Sequence, residues 1–242
     1  MIRYYCSGFD DNNAFGYGIG NMLKKELTNT KSIVYIPGAY DDISKSTDIY
    51  VPRYTNYFKQ VGIEFNEIHI LSKDSINAKE LVNNASLVML MGGDPFEQIK
   101  LCRKLDIIEE LKNYKGVMIG YSAGAMIMSK YIIITPCSLE YPEFHIEEGL
   151  NLDNISIYPH NNTNSEIYPD ILELEDETYK KEDLLLVANK YGKFYLLQDY
   201  LREDNLTDVS IIKSVDSNIE YYTENDGKIW EVDKDIKLKK LC

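Results

Sequence analysis

The chain has few of the residues that mark disulfide-rich, metal-binding or nucleic-acid-binding proteins. Its 242 residues include four cysteines and three histidines. The cysteines, Cys6, Cys102, Cys137 and Cys242, have neither disulfide nor metal-ligand spacing, so no metal or cofactor is expected. Lys and Arg number 26 against 39 Asp and Glu, which gives a net charge of -13. Nucleic acids and anionic membranes both attract a positive surface, and neither is expected as a partner.

The sequence also lacks a long apolar run. A bilayer-spanning helix needs about 20 consecutive apolar residues, and no segment approaches that length. The opening segment Met1–Cys6 has no charged region, apolar stretch or small-residue cleavage site typical of an export signal. With unpaired cysteines, these features lead us to expect a cytoplasmic protein.

Short β-rich runs alternate with amphipathic segments through the first half, which predicts βαβ units on a parallel sheet. The predicted strands are Ile2–Cys6, Ser32–Ile36, Glu67–Leu71, Ser86–Met91 and Gly116–Ile119. The predicted helices lie within Ala14–Leu27, Asp48–Val61, Asn77–Val82 and Phe96–Leu111. We therefore expect an α/β fold of three layers, a flavodoxin-like, mostly parallel sheet with helices on both faces.

The second half has a different pattern. Asn154–Tyr158 is predicted to be a strand and Asn164–Leu174 a helix. Closely spaced runs with intervening turns then predict C-terminal β-hairpins added to the edge of the sheet. These runs are Leu184–Ala188, Lys193–Leu197, Val209–Val215, Ile219–Tyr222 and Lys228–Val232. No repeat or Pro/Ser-rich linker interrupts the chain, so residues 1–242 are expected to form a single α/β hydrolytic domain.

The strongest local motif is the turn Gly120-Tyr-Ser-Ala-Gly124, which follows an apolar strand and precedes a small-residue helix start. This is the strand–turn–helix context of a nucleophile elbow, and it makes Ser122 the candidate nucleophile. The helix start below Ser122 would present N–H groups where an oxyanion forms. The alternative is that Ser122 only caps the helix of an ordinary βα turn.

A serine nucleophile needs a base, and His160 is our candidate among the three histidines. It ends the run Asn154–His160, which predicts a position at the carboxyl end of a strand and at the same sheet edge as Ser122. His69 lies inside a predicted strand and His145 in a loop-like stretch, so both are expected to be structural or solvated.

A second glycine-bearing turn follows the strand Ser86–Met91. Gly93, with no side chain to shield its backbone N–H, could join the N–H of Ala123 in an oxyanion hole. Asp94 is carboxylate-bearing, but the sequence Asp94-Pro-Phe-Glu97 is typical of a helix N-terminus, with Asp94 as its cap.

The motifs Met91–Phe96, Gly120–Ala125 and Tyr158–His160, in this order, resemble the serine peptidases typified by dipeptidase E and cyanophycinase. The resemblance covers roughly residues 1–200. It implies a fold like that of the class I glutamine amidotransferases, with Ser122 as nucleophile, His160 as base, and Gly93 and Ala123 as oxyanion donors. It also implies hydrolysis of peptide or isopeptide bonds, often next to aspartate.

One departure from this family concerns the third catalytic residue. The family places a carboxylate just before a glycine after the histidine, but the nearest match, Ala188–Gly192, has Tyr191 at that position. Glu182 or Asp183 could supply the carboxylate instead, or Tyr191 or a backbone carbonyl could orient His160, or activity could be weak.

These sequence features bear on three functions. The leading one is a serine-type peptidase, similar to a dipeptidase, that cleaves small peptides. The alternative is a non-catalytic or weakly active member of the same fold that binds a peptide or small metabolite, as the missing carboxylate would suggest. A glutamine amidotransferase is disfavoured, because its elbow carries cysteine and both Cys102 and Cys137 lie outside the motif. A homodimer is possible through an exposed C-terminal edge strand.

Overall fold

Five of the β-rich runs form the centre of the protein, in the positions that their composition predicts. The computed structural model describes residues 1–9, 15–134, 143–160, 171–174, 177–201 and 207–238. The strands, in chain order, are β1 Ile2–Cys6, β2 Ser32–Gly38, β3 Glu67–Ile70, β4 Leu87–Gly93, β5 Val117–Tyr121, β6 Tyr131–Ile134, β7 His145–Glu148, β8 Ile157–Tyr158, β9 Ile171–Leu174, β10 Glu177–Lys180, β11 Phe194–Leu197, β12 Asp199–Leu201, β13 Thr207–Val215, β14 Asn218–Glu224, β15 Ile229–Val232 and β16 Ile236–Leu238.

The helices lie mostly between the early strands. They are α1 Gly16–Glu26, α2 Val51–Gln60, α3 Ala78–Asn84, α4 Pro95–Lys104, α5 Ile108–Asn113, α6 Ala123–Met128 and α7 Lys181–Tyr191. A short π-helix, Ser46–Tyr50, leads directly into α2.

The main sheet has a parallel core with an antiparallel extension. Strands β1, β5, β4, β2 and β3 are adjacent in that order and parallel. Beyond β1, the long strand β13 runs antiparallel and carries β12 and β14 as further antiparallel neighbours. The carboxyl ends of β4 and β5 therefore lie side by side, which brings the two glycine-bearing turns together.

Helices cover both faces of this sheet. In β2, Ile33 and Tyr35 pack in one core cluster with residues of α1 and α2, whereas Val34 and Ile36 pack in a second cluster with residues of α3 to α6. Side chains of a strand alternate between faces, so near-continuous apolar runs are what a sheet buried on both sides requires. The expected α/β fold, with its mostly parallel sheet and extra C-terminal strands, is confirmed.

A second, smaller sheet contains strands that were expected at the edge of the first. Its order is β16, β15, β11, β8, and β8 runs parallel to β11. The hairpin β13–β14 does extend the main sheet as predicted. The prediction was wrong for Lys193–Leu197 and Lys228–Val232, which pair with each other in the smaller sheet.

The predicted strand Leu184–Ala188 is part of the helix α7. Its buried residues are Leu184, Val187 and Ala188, whereas Leu186 is 55% exposed. This spacing follows the helical period of 3.6 and not the alternation of a strand, so the apolar run was assigned the wrong period. The helix ends at Tyr191, and Gly192 follows with φ 92°.

We expect two neighbouring leucines of α7 to respond very differently to truncation. Leu184→Ala removes a fully buried side chain and should lower the free energy of unfolding by about 2–5 kcal/mol. Leu186→Ala, the matched control, should change it by less than about 0.5 kcal/mol. In a strand both residues would share one face, so similar losses in urea unfolding would contradict the helical assignment.

The predicted helix Asn164–Leu174 falls partly on residues 164–170, which lie outside the described residues. Its last four residues form β9, which pairs with β10, and this part of the prediction is wrong. Within the described ranges, none of the helices has the length and apolarity needed to cross a membrane.

Candidate active site

The turn between β5 and α6 holds Ser122 in an unusual backbone conformation. Strand β5 ends at Tyr121 and the helix begins at Ala123, so Ser122 alone makes the turn, with φ 52° and ψ -114°. Its N–H donates to the carbonyl of Cys6 at the end of β1, 2.9 Å away. A non-glycine residue at positive φ costs on the order of 1–3 kcal/mol, and such strain is concentrated at functional sites. This is the sharp turn that a nucleophile elbow requires.

The Ser122 side chain does not cap the helix. Its Oγ makes no capping hydrogen bond with α6. Instead Oγ lies 2.5 Å from Nε2 of His160. Because Nδ1 of the same ring faces a carboxylate, we assign the ring proton to Nδ1, and Nε2 then accepts the hydrogen bond from the serine hydroxyl. The alternative of a merely capping serine is thus not supported by the geometry.

His160 reaches Ser122 from the smaller sheet. It lies two residues after the end of β8 and has φ 62°, the left-handed conformation that is uncommon for a side-chain-bearing residue. The prediction placed this strand in the same sheet as the serine, and that detail was wrong. The side chain is 38% exposed, so a molecule in the pocket can approach the imidazole.

Asp199 completes the chain of hydrogen bonds. Its Oδ2 lies 2.7 Å from Nδ1 of His160, and its side chain is 12% exposed. Asp199 begins β12, two residues after β11 ends at Leu197. Because β8 and β11 are parallel neighbours, with Tyr158 opposite Leu196, their carboxyl ends deliver the histidine and the carboxylate to one place.

The candidates considered from the sequence for this third position lie elsewhere. Glu182 and Asp183 are in the first turn of α7. Tyr191 is at the end of that helix, where its ring packs edge-on against Tyr131 at 5.4 Å. Asp199 is followed by Tyr200, so the family pattern of a carboxylate before a glycine does not point to it. The available signal was a carboxylate just beyond the predicted strand Lys193–Leu197.

The space occupied by the Asp199 carboxylate depends on Gly8, just after β1. A Cβ atom built on Gly8 would lie 2.4 Å from Oδ2 of Asp199, the oxygen that contacts His160. Real Cβ atoms essentially never approach another atom so closely, so any larger residue at position 8 must displace the carboxylate or the strand. The absence of a side chain at Gly8 is therefore part of the site.

The second glycine-bearing turn lies beside Ser122. Gly92 and Gly93 line the same pocket as Ser122 and His160, and Ala123 is the first residue of α6. The two backbone segments proposed as oxyanion donors are thus adjacent, while the role of their N–H groups stays a prediction. Asp94 caps α4 as predicted, since its Oδ1 accepts from the N–H groups of Phe96 and Glu97 at 2.7 and 2.9 Å.

The pocket over these residues has a volume of about 190 Å³ and a wall of aromatic rings. Phe9 stacks on Tyr121 with ring centroids 4.9 Å apart, and Tyr54 contacts Tyr121 at 5.6 Å. Arg53, an exposed residue of α2, is the cationic side chain among the lining residues. The remaining lining residues are Tyr50, Tyr57, Gly92, Gly93, Ser122 and His160.

The other candidate nucleophiles and bases lie apart from this pocket. His69 faces Glu67 at 3.3 Å, and His145 packs against the ring of Phe96 at 4.0 Å. Cys102 is fully buried, and burial raises the pKa of its thiol to about 12, so it stays protonated and unreactive. Cys137 lies outside the described residues. In the part of the chain that the structure describes, no group of three or more His, Cys, Asp and Glu side chains could hold a metal ion.

The molecule is thus an α/β protein whose candidate site lies at the carboxyl ends of strands from two sheets. The chain belongs to peptidase family S51, whose family model matches residues 6–191. This confirms the resemblance inferred from the three motifs.

Two curated relatives agree with this assignment, and one solved structure has a similar fold. Peptidase E of Nostoc sp. is 27% identical over 143 residues, and peptidase E of Escherichia coli is 25% identical over 142. The matches cover 55% and 57% of this chain, and the chain spans only 53% and 59% of those relatives. The crystal structure of a peptidase from an acI-B1 Actinobacterium superposes with a TM-score of 0.60 at 16% identity, covering 99% of this chain and 94% of that one. At this identity the likeness concerns the fold alone.

Proposed function

We propose that the protein is a serine-type peptidase, similar to a dipeptidase, that hydrolyses small peptides. The observation that supports it best is the continuous hydrogen-bonded chain from Ser122 through His160 to Asp199. A strained serine that faces a base, with the base oriented by a third group, is the arrangement that activates a weak hydroxyl nucleophile. The direct test is turnover of a dipeptide library by the wild-type protein, followed by replacement of Ser122.

In the proposed acylation step, Ser122 attacks the carbonyl carbon of the scissile bond. Nε2 of His160 takes the hydroxyl proton as the Oγ–C bond forms, and the carbonyl oxygen becomes negatively charged. The N–H groups of Gly93 and Ala123 stabilise that oxygen, and each such donor is worth about 3 kcal/mol. His160 then gives its proton to the departing amine as the C–N bond breaks, leaving an ester on Ser122.

Deacylation repeats these roles with water. His160 removes a proton from water, the resulting hydroxide attacks the ester carbon, and the proton returns to Oγ when the acid product leaves. Asp199 takes no proton in either step. It accepts a hydrogen bond from Nδ1–H of His160, which holds the ring in the tautomer whose Nε2 can take a proton. Its negative charge also stabilises the transient imidazolium.

The pocket supports a preference for peptides that carry a carboxylate side chain beside the scissile bond. Its volume of about 190 Å³ is suited to a small substrate, and its lining residues include one guanidinium, that of Arg53. A guanidinium binds carboxylates through charge-assisted hydrogen bonds. The net charge of -13 makes a local cation all the more necessary for an acidic ligand.

Arg53→Gln should selectively impair cleavage of an acidic peptide. We expect kcat/KM for Asp-Leu to fall roughly tenfold, the lower end of the range for charge-assisted hydrogen bonds because Arg53 is exposed. The value for Asn-Leu, which has the same α-carboxylate, should hardly change. Arg103→Gln is the matched control, since Arg103 is exposed and pairs with Glu147 outside the pocket. Equal losses for both peptides would refute the assignment of Arg53.

The alternative is a non-catalytic member of the same fold, and the reason for proposing it no longer holds. It was based on the absence of a carboxylate at Tyr191, and Asp199 supplies a carboxylate at hydrogen-bonding distance from His160. It predicts saturable binding of a peptide, measurable by calorimetry, without any turnover. Product formation that depends on Ser122 would exclude it.

A further inference from the structure

The turn that carries Gly93 begins with an irregularity in the pairing of β2 and β4. Ile36 pairs with Leu90, but the next pair is Gly38 with Gly93. Two residues of β4, Met91 and Gly92, therefore lie opposite the single residue Pro37 of β2. This arrangement is a β-bulge. Bulges bend a strand and redirect its residues, and they are frequent next to active sites. Here the bulge turns the end of β4 toward Ser122, since Gly92 and Gly93 line the pocket.

Two backbone carbonyls at this bulge accept hydrogen bonds from a side chain. Pro37 has no N–H to donate, and the pairing register of β2 with β4 shifts between Ile36 and Gly38. Gln98, a fully buried residue of α4, provides that side chain. Its Nε2 donates to the carbonyl of Ile36 at 2.7 Å and to that of Met91 at 2.9 Å. One amide group thus ties β2 to β4 immediately before the two glycines.

The other side of the bulge is closed by Gly38. Its carbonyl accepts the N–H of Asp94 at 2.9 Å. A Cβ atom on Gly38 would lie 2.5 Å from the oxygen of Gly92 and 2.8 Å from Cα of Gly93. Gly93 itself has φ 129°, a conformation open to glycine, and a Cβ there would lie 2.4 Å from the Gly38 oxygen. Neither glycine position leaves room for a side chain, so the backbones of β2 and β4 lie close together here.

We propose that Gln98 is a positioning residue that, together with Gly38, holds the Gly92–Gly93 peptide in register with Ser122. It acts through the backbone and touches no substrate. The inference rests on the proposed function, in which the Gly93 N–H stabilises the oxyanion. Such a donor interacts with the transition state and hardly with the bound peptide, so its displacement lowers kcat and leaves KM nearly unchanged.

Gln98→Met tests this role, because methionine has a similar length but cannot donate to the two carbonyls. We expect kcat per active site to fall about 10- to 100-fold, less than the 10²–10³ of a donor removed outright. KM should stay within about twofold. Active sites are counted by the end-point labelling of Ser122 with a phosphonate probe, so a loss of folded protein does not imitate a loss of kcat.

Tyr114→Phe is the matched control. It removes one hydrogen bond from the side chain of a buried residue to a backbone carbonyl, that of the Tyr114 hydroxyl to Ala85 at 2.9 Å, whereas Gln98→Met removes two. Both substitutions should lower the melting temperature, but Tyr114→Phe should leave kcat per labelled site unchanged. A merely structural role of Gln98 would make the two variants behave alike, and that result would overturn the proposal.

A measurement that needs no turnover separates this inference from the proposed function. In protein labelled with ¹⁵N-glycine, Gln98→Met should shift the amide resonances of Gly92 and Gly93 and speed their hydrogen exchange, while Gly20 in α1 stays unchanged. The same shifts in a Ser122→Ala background would support the positioning role even if the wild type hydrolysed nothing. Where Gln98→Met fails to fold, Gly38→Ala perturbs the same bulge and should give the same resonance shifts and the same loss of kcat. Unchanged glycine resonances in a folded variant of either kind would refute the proposal.

Discussion

Ser122→Ala should reduce kcat/KM for peptide hydrolysis by about 10⁴- to 10⁶-fold and abolish labelling by an active-serine phosphonate. In the proposed mechanism this hydroxyl forms the covalent ester, and alanine has no group that can take its place. Substrate binding should persist within a few-fold, since alanine leaves Arg53 and the aromatic wall of the pocket in place. Steady-state kinetics with the best dipeptide of the library, and labelling followed by mass spectrometry, measure both effects.

Ser44→Ala provides the control for this experiment, because Ser44 is an exposed serine that does not line the pocket. It should retain full activity and full labelling. Labelling that persists in Ser122→Ala, or residual turnover equal to that of the wild type, would end the proposal of a serine peptidase. Binding without turnover in the wild type would instead favour the non-catalytic alternative.

The second large effect is expected at Asp199. Asp199→Asn preserves the size of the side chain, but an amide can donate a hydrogen bond to Nδ1 of His160 and so favours the tautomer with its proton on Nε2. In that tautomer His160 cannot accept the Ser122 proton, and kcat should fall about 10⁴-fold. Because the geometry is otherwise kept, the melting temperature should change little. Steady-state kinetics at neutral pH and a thermal scan together check this expectation.

Two further variants test the other candidates for the third catalytic position, Asp183 and Tyr191. Asp183→Asn makes the same chemical change in α7, and Tyr191→Phe removes the hydroxyl that stands where the family pattern calls for a carboxylate. Both should retain kcat within about twofold, as is usual for substitutions away from the reacting groups. A large loss at either position with little loss at Asp199 would reassign the third member of the triad.

The sequence was sufficient to predict that Ser122 and His160 lie together, because each is marked by local features. The glycines around Ser122, the strand before it and the small residues after it all lie within a few positions of one another. His160 follows a short β-rich run and a proline. Local patterns of this kind report turns and strand ends directly, since the backbone constraint and the motif occupy the same residues.

Asp199 could not be predicted in the same way, because its position depends on which strands are neighbours. The carboxylate meets His160 only because β11 pairs with β8 in a second sheet, and pairing over a separation of about 40 residues leaves no local pattern. The misassignment of Leu184–Ala188 has a related cause. A five-residue apolar run fits either period, and only its burial at Leu184, Val187 and Ala188 reveals the helix.

The role of Gln98 lies further from what a sequence reveals. In the sequence it is an ordinary polar residue in the first turns of a helix, three residues after Pro95. Its importance arises from the bulge opposite Pro37, and a bulge is a feature of strand register that composition does not specify. Predicting such residues requires knowing where a bulge brings backbone carbonyls within reach of a side chain.

The family match ends at residue 191, before Asp199, whereas Ser122 and His160 lie within it. Asp199 also lies where the chain leaves the smaller sheet at β11 and joins the main sheet through β12, which pairs with β13. In the proposed mechanism the nucleophile therefore belongs to one sheet, the base follows a strand of the other, and the carboxylate stands at the crossing between them. The rate of hydrolysis would then depend on how the two sheets are aligned with each other. A small shift of one sheet past the other would abolish activity even though each sheet stayed folded.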